Sequence, residues 1–186
     1  MLELVIDGIR VSLMNQQRVV ILRVKDTDKY LPIWIGPSEA DAIALKLQNV
    51  TVPRPLTHDL LSDVISSLDA RVDRIVVSDL SDDTFFAKIV LQVNGSTMEV
   101  DSRPSDALAL AVRTESQIYA EDAVVEKAAI LLDPETGRAV PAENEEEEEA
   151  RPISAGELEK LSAFSDFIGS LDIEDLGQGD APQQRR

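Results

Sequence analysis

Three ionisable residues, Asp101, Arg103 and Asp106, lie within six positions at the end of a predicted strand and the start of a predicted helix. Turns of this kind bring backbone donors and side chains together on a ligand. Carboxylates accept hydrogen bonds or hold a cation, and an arginine can donate two parallel hydrogen bonds to an oxyanion. The junction at residues 100–111 is therefore the first candidate for a functional site.

Half of this junction occurs twice in the chain. Residues 104–112 repeat the pattern of residues 37–45, which reads P-S-acid-A-x-A and continues without a gap. Residues 73–78 repeat the D-x-I-x-V-S pattern of residues 7–12 at almost the same offset. We infer an internal duplication of a unit of about 65 residues, because fixed-period self-similarity is the mark of a repeat.

The other half of the junction does not recur. The first copy carries Trp34 and Gly36 where the second carries Asp101 and Arg103. Such a difference is expected for a functional site that is present in only one copy. Asp101 and Arg103 are therefore stronger functional candidates than the residues that recur.

Each copy predicts three strands followed by two helices. A strand at residues 2–13 opens the first copy, and one at 74–78 opens the second. Each is followed by a β-hairpin, and the second hairpin contains Asn94-Gly95, a strong turn signal between apolar runs. The predicted hairpin strands lie at residues 19–24, 30–35, 84–93 and 96–100.

The helices that follow the hairpins begin with Pro37 and Pro104, which suit the first helical position. Glu39 and Asp106 then fall at the third position, where a carboxylate favours the positive end of the helix dipole. Second helices are predicted at residues 57–68 and 120–131, the latter after a brief strand at 118–119. The apolar face of the first of these comprises Leu60, Leu61, Val64, Ile65 and Leu68.

These elements predict an α+β fold, in which a duplicated β-β-β-α-α unit forms one mixed domain at residues 1–137. An acidic linker follows at 138–153, because the glutamate run at 145–149 is typical of disordered segments. The mostly disordered tail at 154–186 contains a predicted amphipathic helix at 154–171. This helix would dock on the domain or on a protein partner, or would form transiently without a target.

The composition limits the partners of the protein. The chain has 186 residues, no cysteine and a formal net charge of −17, so disulfides and thiolate metal sites are excluded. An acidic protein repels nucleic-acid phosphates at long range. Binding of nucleic acid would therefore need local cations, a bound metal ion, or weak and transient contact.

The N-terminal segment lacks the basic start and the apolar run of a signal peptide. No apolar run approaches the ~20 residues that a membrane helix needs. We therefore expect a soluble cytoplasmic protein that does not bind membranes.

Three motifs together resemble the bifunctional nuclease domain family. They are LPIWIG at residues 31–36, RPLTHDLL at 54–61 and DSRPSDALAL at 101–110, and they occur in the family's order. The resemblance covers about residues 1–135 and implies a duplicated α+β domain. It also implies divalent-metal-dependent cleavage of both DNA and RNA, which would then be the substrates.

In such an enzyme, Mg²⁺ or Mn²⁺ held by carboxylates can activate a water molecule, stabilise the pentavalent phosphate and assist the leaving oxygen. The resemblance implies one of these ions as the cofactor. Asp41 occupies the position of Leu108 in the second copy, so we expect it on a buried face of its helix. A buried carboxylate is costly unless it binds a partner, which favours a functional site there. The carboxylates available as metal ligands are Glu39, Asp41, Asp59, Asp101 and Asp106.

Arg54 and Arg103 are candidates for binding substrate phosphates, because a guanidinium makes bidentate contacts with phosphate oxygens. His58 is the only histidine in the sequence, and it is a candidate general base or phosphate ligand. The residues that we expect near one cleft as the catalytic group are Glu39, His58, Asp101, Arg103 and Asp106.

Each candidate also has a purely structural interpretation. Glu39 and Asp106 can stabilise helix starts, Asp101 and Arg103 can form an ion pair that fixes the turn, and His58 can cap its helix.

Two functions follow from these alternatives. The first is a metal-dependent nuclease of low sequence selectivity. The second is a non-catalytic regulatory or binding module that recognises an anionic ligand or a partner protein. Whether the chain forms a homo-oligomer stays open.

Overall fold

The computed structural model describes residues 1–11, 17–132 and 139–141. The predicted tail, and the linker beyond residue 141, lie outside these ranges. No helix in the described part is long and apolar enough to cross a membrane.

In chain order the described elements are β1 Leu2–Val11, β2 Arg18–Val24, β3 Lys29–Ile35, α1 Pro37–Leu47, α2 Thr57–Ser67, β4 Ala70–Ser81, β5 Thr84–Val93, β6 Ser96–Ser102, α3 Pro104–Thr114, β7 Gln117–Ala120, α4 Asp122–Ala128, β8 Ile130–Leu132 and β9 Ala139–Pro141.

The described strands form one sheet in the order β6-β5-β4-β7-β1-β2-β3-β8-β9. Neighbouring strands are antiparallel except β4 and β7, which are parallel. This mixed sheet, together with the four helices, confirms the predicted α+β class. Strand β9 lies within the segment predicted as linker, so the sheet extends past residue 137.

The two halves of the chain are arranged similarly about β7. The meanders β1-β2-β3 and β4-β5-β6 lie on either side of it, and a helix that begins with proline follows each meander. In the second half, β7 comes between the two helices. The order therefore agrees with the predicted repeat through the first helix of each copy, and the duplication itself stays a prediction.

The turn between β5 and β6 follows from its sequence. Asn94 has a φ of 49° and Gly95 a φ of 80°. A tight hairpin turn of this kind needs positive φ at both central residues, which Asn-Gly supplies at low cost. The hairpin brings Ser96 opposite Val93 and sets the register that carries β6 to the start of α3.

The core lies between the sheet and helix α3. Residues 107–111 of this helix are all buried, and their small alanines let the helix pack closely on the strands. Strand β4 contributes three consecutive buried residues, Ile75, Val76 and Val77, so both of its faces are covered there. Helices α1 and α2 both pack against α3. Helix α3 is thus the element against which α1 and α2 are positioned.

The helix predicted at residues 120–131 is shorter than expected. It spans only Asp122–Ala128, with β7 before it and β8 after it. Ile130 and Leu131 instead pair with Tyr30 and Lys29 on the edge of the sheet. Strand pairing with a distant segment has overridden the local helical pattern here.

The apolar face predicted for α2 is also wrong in part. Ile65 is buried and Leu61 packs on the core, but Leu60 is 57% exposed and Leu68 is 68% exposed. The inward stripe begins instead at His58, which is only 7% exposed, and continues through Leu61 and Ile65 at helical spacing. The helix is therefore rotated so that a polar residue faces α3.

Candidate active site at three helix starts

The first turns of α1, α2 and α3 meet at one place. Arg103, which precedes α3, donates from Nη2 to Oε1 of Glu39 in the first turn of α1, at 3.1 Å. His58, in the first turn of α2, lies with Nε2 3.1 Å from Oδ1 of Asp106 in the first turn of α3. We call Glu39, His58, Arg103 and Asp106 the His58 cluster. Because helix starts carry positive dipole ends, the two carboxylates are favourably placed.

Asp106 is the centre of the His58 cluster, since both of its oxygens are engaged. Oδ1 contacts His58, and Oδ2 accepts from Nε of Arg103 at 2.7 Å. Partial burial would raise the pKa of Asp106, but the hydrogen bonds from Arg103 and then from His58 outweigh it and hold the pKa below its ordinary value. Asp106 is therefore ionised and acts only as an acceptor.

This protonation state determines which nitrogen of His58 is available. An ionised carboxylate only accepts hydrogen bonds, so Nε2 of His58 must carry the proton that it donates to Asp106. In the neutral ring, Nδ1 then holds the free lone pair. No residue in the described part of the chain hydrogen-bonds Nδ1, so the protein leaves this lone pair unengaged.

Arg103 is the exposed member of the His58 cluster. Its side chain is 68% exposed although it bridges two carboxylates. The hydrogen bond to Asp106 raises its pKa, so it carries a full positive charge. An exposed guanidinium next to a buried histidine is well placed to contact a phosphate group.

Gly36 makes room for the Glu39 side chain. A Cβ atom at position 36 would collide with Oε2 of Glu39, and the carboxylate would have to move away. The backbone of Gly36 has an ordinary extended conformation, with φ of −68°. The glycine therefore leaves space for the carboxylate to fold over the start of its own helix, and its φ is not unusual.

A second ion pair locks the same three helices together. Arg113, at the end of α3, donates from Nε to Asp59 and from Nη1 and Nη2 to the carbonyl oxygens of Ala109 and Ala42. Its side chain is only 5% exposed. Arg113 was not among the candidates from the sequence. The signal that could have revealed it is the repeat, because position 113 corresponds to Lys46 at the same offset.

Asp59 belongs to this second ion pair rather than to the His58 cluster. Burial would raise the pKa of Asp59, but the hydrogen bonds from the Leu56 N–H and from Arg113 outweigh it and lower the pKa. Both oxygens of the Asp59 carboxylate are thus satisfied by protein groups. In this arrangement the residue has a structural role.

Three other candidates lie apart from the His58 cluster. Asp101 is exposed on β6 opposite Lys88, and no hydrogen bond or ion pair joins it to the described members of the cluster. The side chain of Asp41 is 65% exposed and lies 3.6 Å from Nε of Arg18, so the expectation of a buried face was wrong. Arg54 lines a neighbouring cleft at the start of α2.

The described histidine and carboxylate side chains of this region do not form a preassembled metal site. Within the described ranges, no group of three or more histidine, aspartate or glutamate side chains is placed to hold a metal ion. The carboxylates of Glu39 and Asp106 point to the guanidinium of Arg103, which lies where a shared cation would bind.

Comparison with known proteins identifies the family. A model of the bifunctional nuclease domain matches residues 20–133. The chain belongs to the bifunctional nuclease domain family. This confirms the resemblance drawn from the three motifs, and every member of the His58 cluster lies within the matched range.

Two relatives of this bifunctional nuclease domain protein come from two strains of Mycobacterium tuberculosis. Each is described as an uncharacterized protein, and each is 40% identical to this chain over 166 residues. The aligned part covers 89% of this chain and 94% of either relative. The similarity to these relatives therefore covers almost the whole chain, and neither description names an activity.

Proposed function

We propose that this bifunctional nuclease domain cleaves phosphodiester bonds in RNA and DNA at the His58 cluster, with low sequence selectivity. The observation that carries the proposal is the contact between the buried His58 and the ionised Asp106, beside the exposed Arg103. A general base, a group that orients it and a cation for the phosphate are the parts that this chemistry needs.

His58 acts as the general base in this proposal. Nδ1 removes a proton from the attacking hydroxyl group, and the ring becomes positively charged. Asp106 holds the ring in the required tautomer and stabilises the imidazolium that forms, as a carboxylate does in other histidine dyads.

RNA is the substrate that this arrangement serves most directly. The 2′-hydroxyl group of RNA lies next to the phosphate attached to O3′ of the same ribose, so it is an already positioned nucleophile. His58 takes the 2′-hydroxyl proton, the bond from O2′ to phosphorus forms, and the bond from phosphorus to O5′ breaks. The departing O5′ takes a proton from water. In DNA a water molecule has to replace the 2′-hydroxyl group as the nucleophile.

Arg103 binds the phosphate that is attacked. Its Nε can keep the hydrogen bond to Asp106 while an Nη group exchanges Glu39 for a phosphate oxygen. Glu39 therefore orients Arg103 before substrate binds. Phosphate contacts carry no sequence information, which accounts for the proposed low selectivity.

One observation favours a second candidate function. The charge of Arg103 is already matched by two carboxylates, and the whole His58 cluster links three helices. A non-catalytic module that binds an anionic ligand or a partner protein at this surface would use the same residues for structure and recognition.

A cleavage assay distinguishes the nuclease from the non-catalytic binding module. The purified full-length protein would be incubated with labelled RNA and with plasmid DNA, in a chelator and separately with Mg²⁺ or Mn²⁺. Cleavage that is lost in His58→Gln supports the nuclease. Binding of nucleic acid without cleavage under all of these conditions would support the binding module instead.

A further inference from the structure

A cleft of about 470 Å³ lies beside the His58 cluster. It is bordered by the end of α1, by the connector between α1 and α2, and by the first turn of α2. Its charged lining residues are Lys46, Arg54, Asp59, Asp63 and Arg113. This volume is within the range of roughly 300–1,000 Å³ for small-molecule sites. The cleft therefore suits one or a few nucleotide units rather than a duplex.

Two of the three positive charges, on Lys46 and Arg54, are available to a ligand, and Asp63 adds one negative charge to the lining. Asp59 and Arg113 neutralise each other, and each of the three guanidinium nitrogens of Arg113 donates to a protein acceptor. Lys46 and Arg54 are exposed and have no ion-pair partner among the described residues. In a chain with a net charge of −17, two available cations at one cleft are a local exception to the repulsion of phosphate.

The first turn of α2 connects the cleft to the His58 cluster. Consecutive residues of this helix face in different directions, with His58 toward Asp106 and Asp59 toward Arg113 and the cleft. Arg54 precedes His58 by four positions, so their Cα atoms are at most about 14 Å apart. A strand whose phosphate is bound at His58 therefore passes close to the cleft.

We propose that this cleft binds the backbone phosphates of a single nucleic-acid strand next to the cleaved bond, with Lys46 and Arg54 as the phosphate ligands. The proposal rests on the function proposed above, because the His58 cluster defines which bond is cleaved. Arg113 and Asp59 hold the wall of the cleft in place and do not contact the strand.

The salt dependence of binding measures these contacts directly. A fluorescein-labelled oligothymidylate would be bound to full-length protein carrying His58→Gln, so that the probe stays intact, and anisotropy would be followed against NaCl concentration. Each neutralised phosphate of a single strand contributes about 0.7 to the slope of log K against log salt. We expect Lys46→Ala with Arg54→Ala to reduce this slope by about 1.4.

A matched double variant controls for the loss of total charge. Lys29→Ala with Arg71→Ala removes the same two positive charges at exposed positions outside the cleft. We expect this variant to keep the slope of the His58→Gln parent. An unchanged slope in the cleft variant, or an equal reduction in both double variants, would overturn the proposal. If circular dichroism shows that the alanine pair is unfolded, Lys46→Gln with Arg54→Gln replaces it.

Cleavage assays with the histidine intact separate this inference from the proposed function. Oligothymidylate binding with the expected slopes but without cleavage of RNA or DNA by wild type would support the cleft and contradict the nuclease. Cleavage by wild type, together with an unaltered salt slope in the cleft variant, would support the nuclease and contradict the cleft proposal. If the probe does not bind at all, the cleft proposal is wrong.

Discussion

Nε2 of His58 lies 3.1 Å from Oδ1 of Asp106, although the two residues are 48 positions apart in the chain. The contact joins the first turn of α2 to the first turn of α3 and places the only histidine of the sequence on the buried face of its helix. It turns the His58 side of α2 toward α3, so Leu60, two positions further along the helix, faces away and is exposed. The polar contact therefore acts together with Leu61 and Ile65, which also pack inward, in setting the orientation of α2.

The ion pair between Asp59 and Arg113 predicts a stability effect. Replacing Asp59 with asparagine would remove the negative charge beside the buried guanidinium of Arg113 and leave one side-chain oxygen for both Arg113 and the Leu56 N–H. Removal of one partner from a buried pair is costly, and we expect a loss of about 2–3 kcal/mol in the free energy of unfolding, because Asp59 is itself partly exposed. Urea denaturation of the wild type and of Asp59→Asn measures this difference.

The same variant should also weaken the response of stability to acid. The pKa of Asp59 is lowered in the folded state, so its contribution is complete above the unfolded value of about 3.9 and is lost as the pH falls through the lower, folded value. Asp59→Asn should therefore lose less stability than the wild type when the pH is lowered through this range. Equal losses in both proteins would show that Asp59 does not stabilise the fold through its charge.

Arg103 should matter for cleavage much more than for stability. Because its side chain is 68% exposed, we expect Arg103→Ala to change the free energy of unfolding by less than about 1 kcal/mol. Loss of a group that stabilises the developing phosphate charge should lower kcat by about 10²-fold. Steady-state kinetics on RNA and thermal melts measure the two effects.

Arg103→Lys is the matched variant for charge. A lysine keeps the positive charge but lacks the planar fork that holds Asp106 and a phosphate oxygen at the same time, so its kcat should lie between those of wild type and alanine. Arg103→Ala with a wild-type kcat would remove Arg103 from the proposed mechanism.

Chelation tests the metal dependence that the family resemblance implies. Because the described residues form no group of three or more side chains placed to hold a metal ion, and Arg103 lies between the carboxylates of the His58 cluster, we expect RNA cleavage to persist in EDTA. The assay compares RNA cleavage rates in EDTA and after addition of Mg²⁺ or Mn²⁺. Activity that disappears in EDTA and returns with either ion would show that a metal site assembles when substrate binds.

The sequence predicted much of the fold because its signals were local. The hairpin at Asn94-Gly95 and the helix starts at Pro37 and Pro104 depend on neighbouring residues alone, and the structure contains all three. The end of the helix predicted at 120–131 depends instead on pairing between Ile130 and Tyr30, which lie 100 positions apart. Short-range patterns carry no information about such pairing.

In the candidate site, too, local signals could be read from the sequence and contacts between distant residues could not. Glu39, His58, Arg103 and Asp106 were all chosen from the sequence by residue type and by position at helix starts. The four were expected near one cleft, but no local pattern indicates which of them pair, because Arg103 contacts Glu39 across 64 positions and His58 contacts Asp106 across 48. Closeness in sequence suggested that Asp101 and Arg103 act together, whereas the backbone carries Asp101 to an exposed position opposite Lys88.

The most direct test of the account is the rate at which His58→Gln cleaves uniformly labelled RNA, compared with wild type and with Asp101→Asn. All three proteins would first be shown by circular dichroism and thermal melting to be folded. We predict that His58→Gln loses about 10²–10⁴-fold in rate, as expected when a general base is removed, while Asp101→Asn stays close to wild type. Cleavage by His58→Gln at the wild-type rate would contradict the assignment of the chemistry to His58 and Asp106.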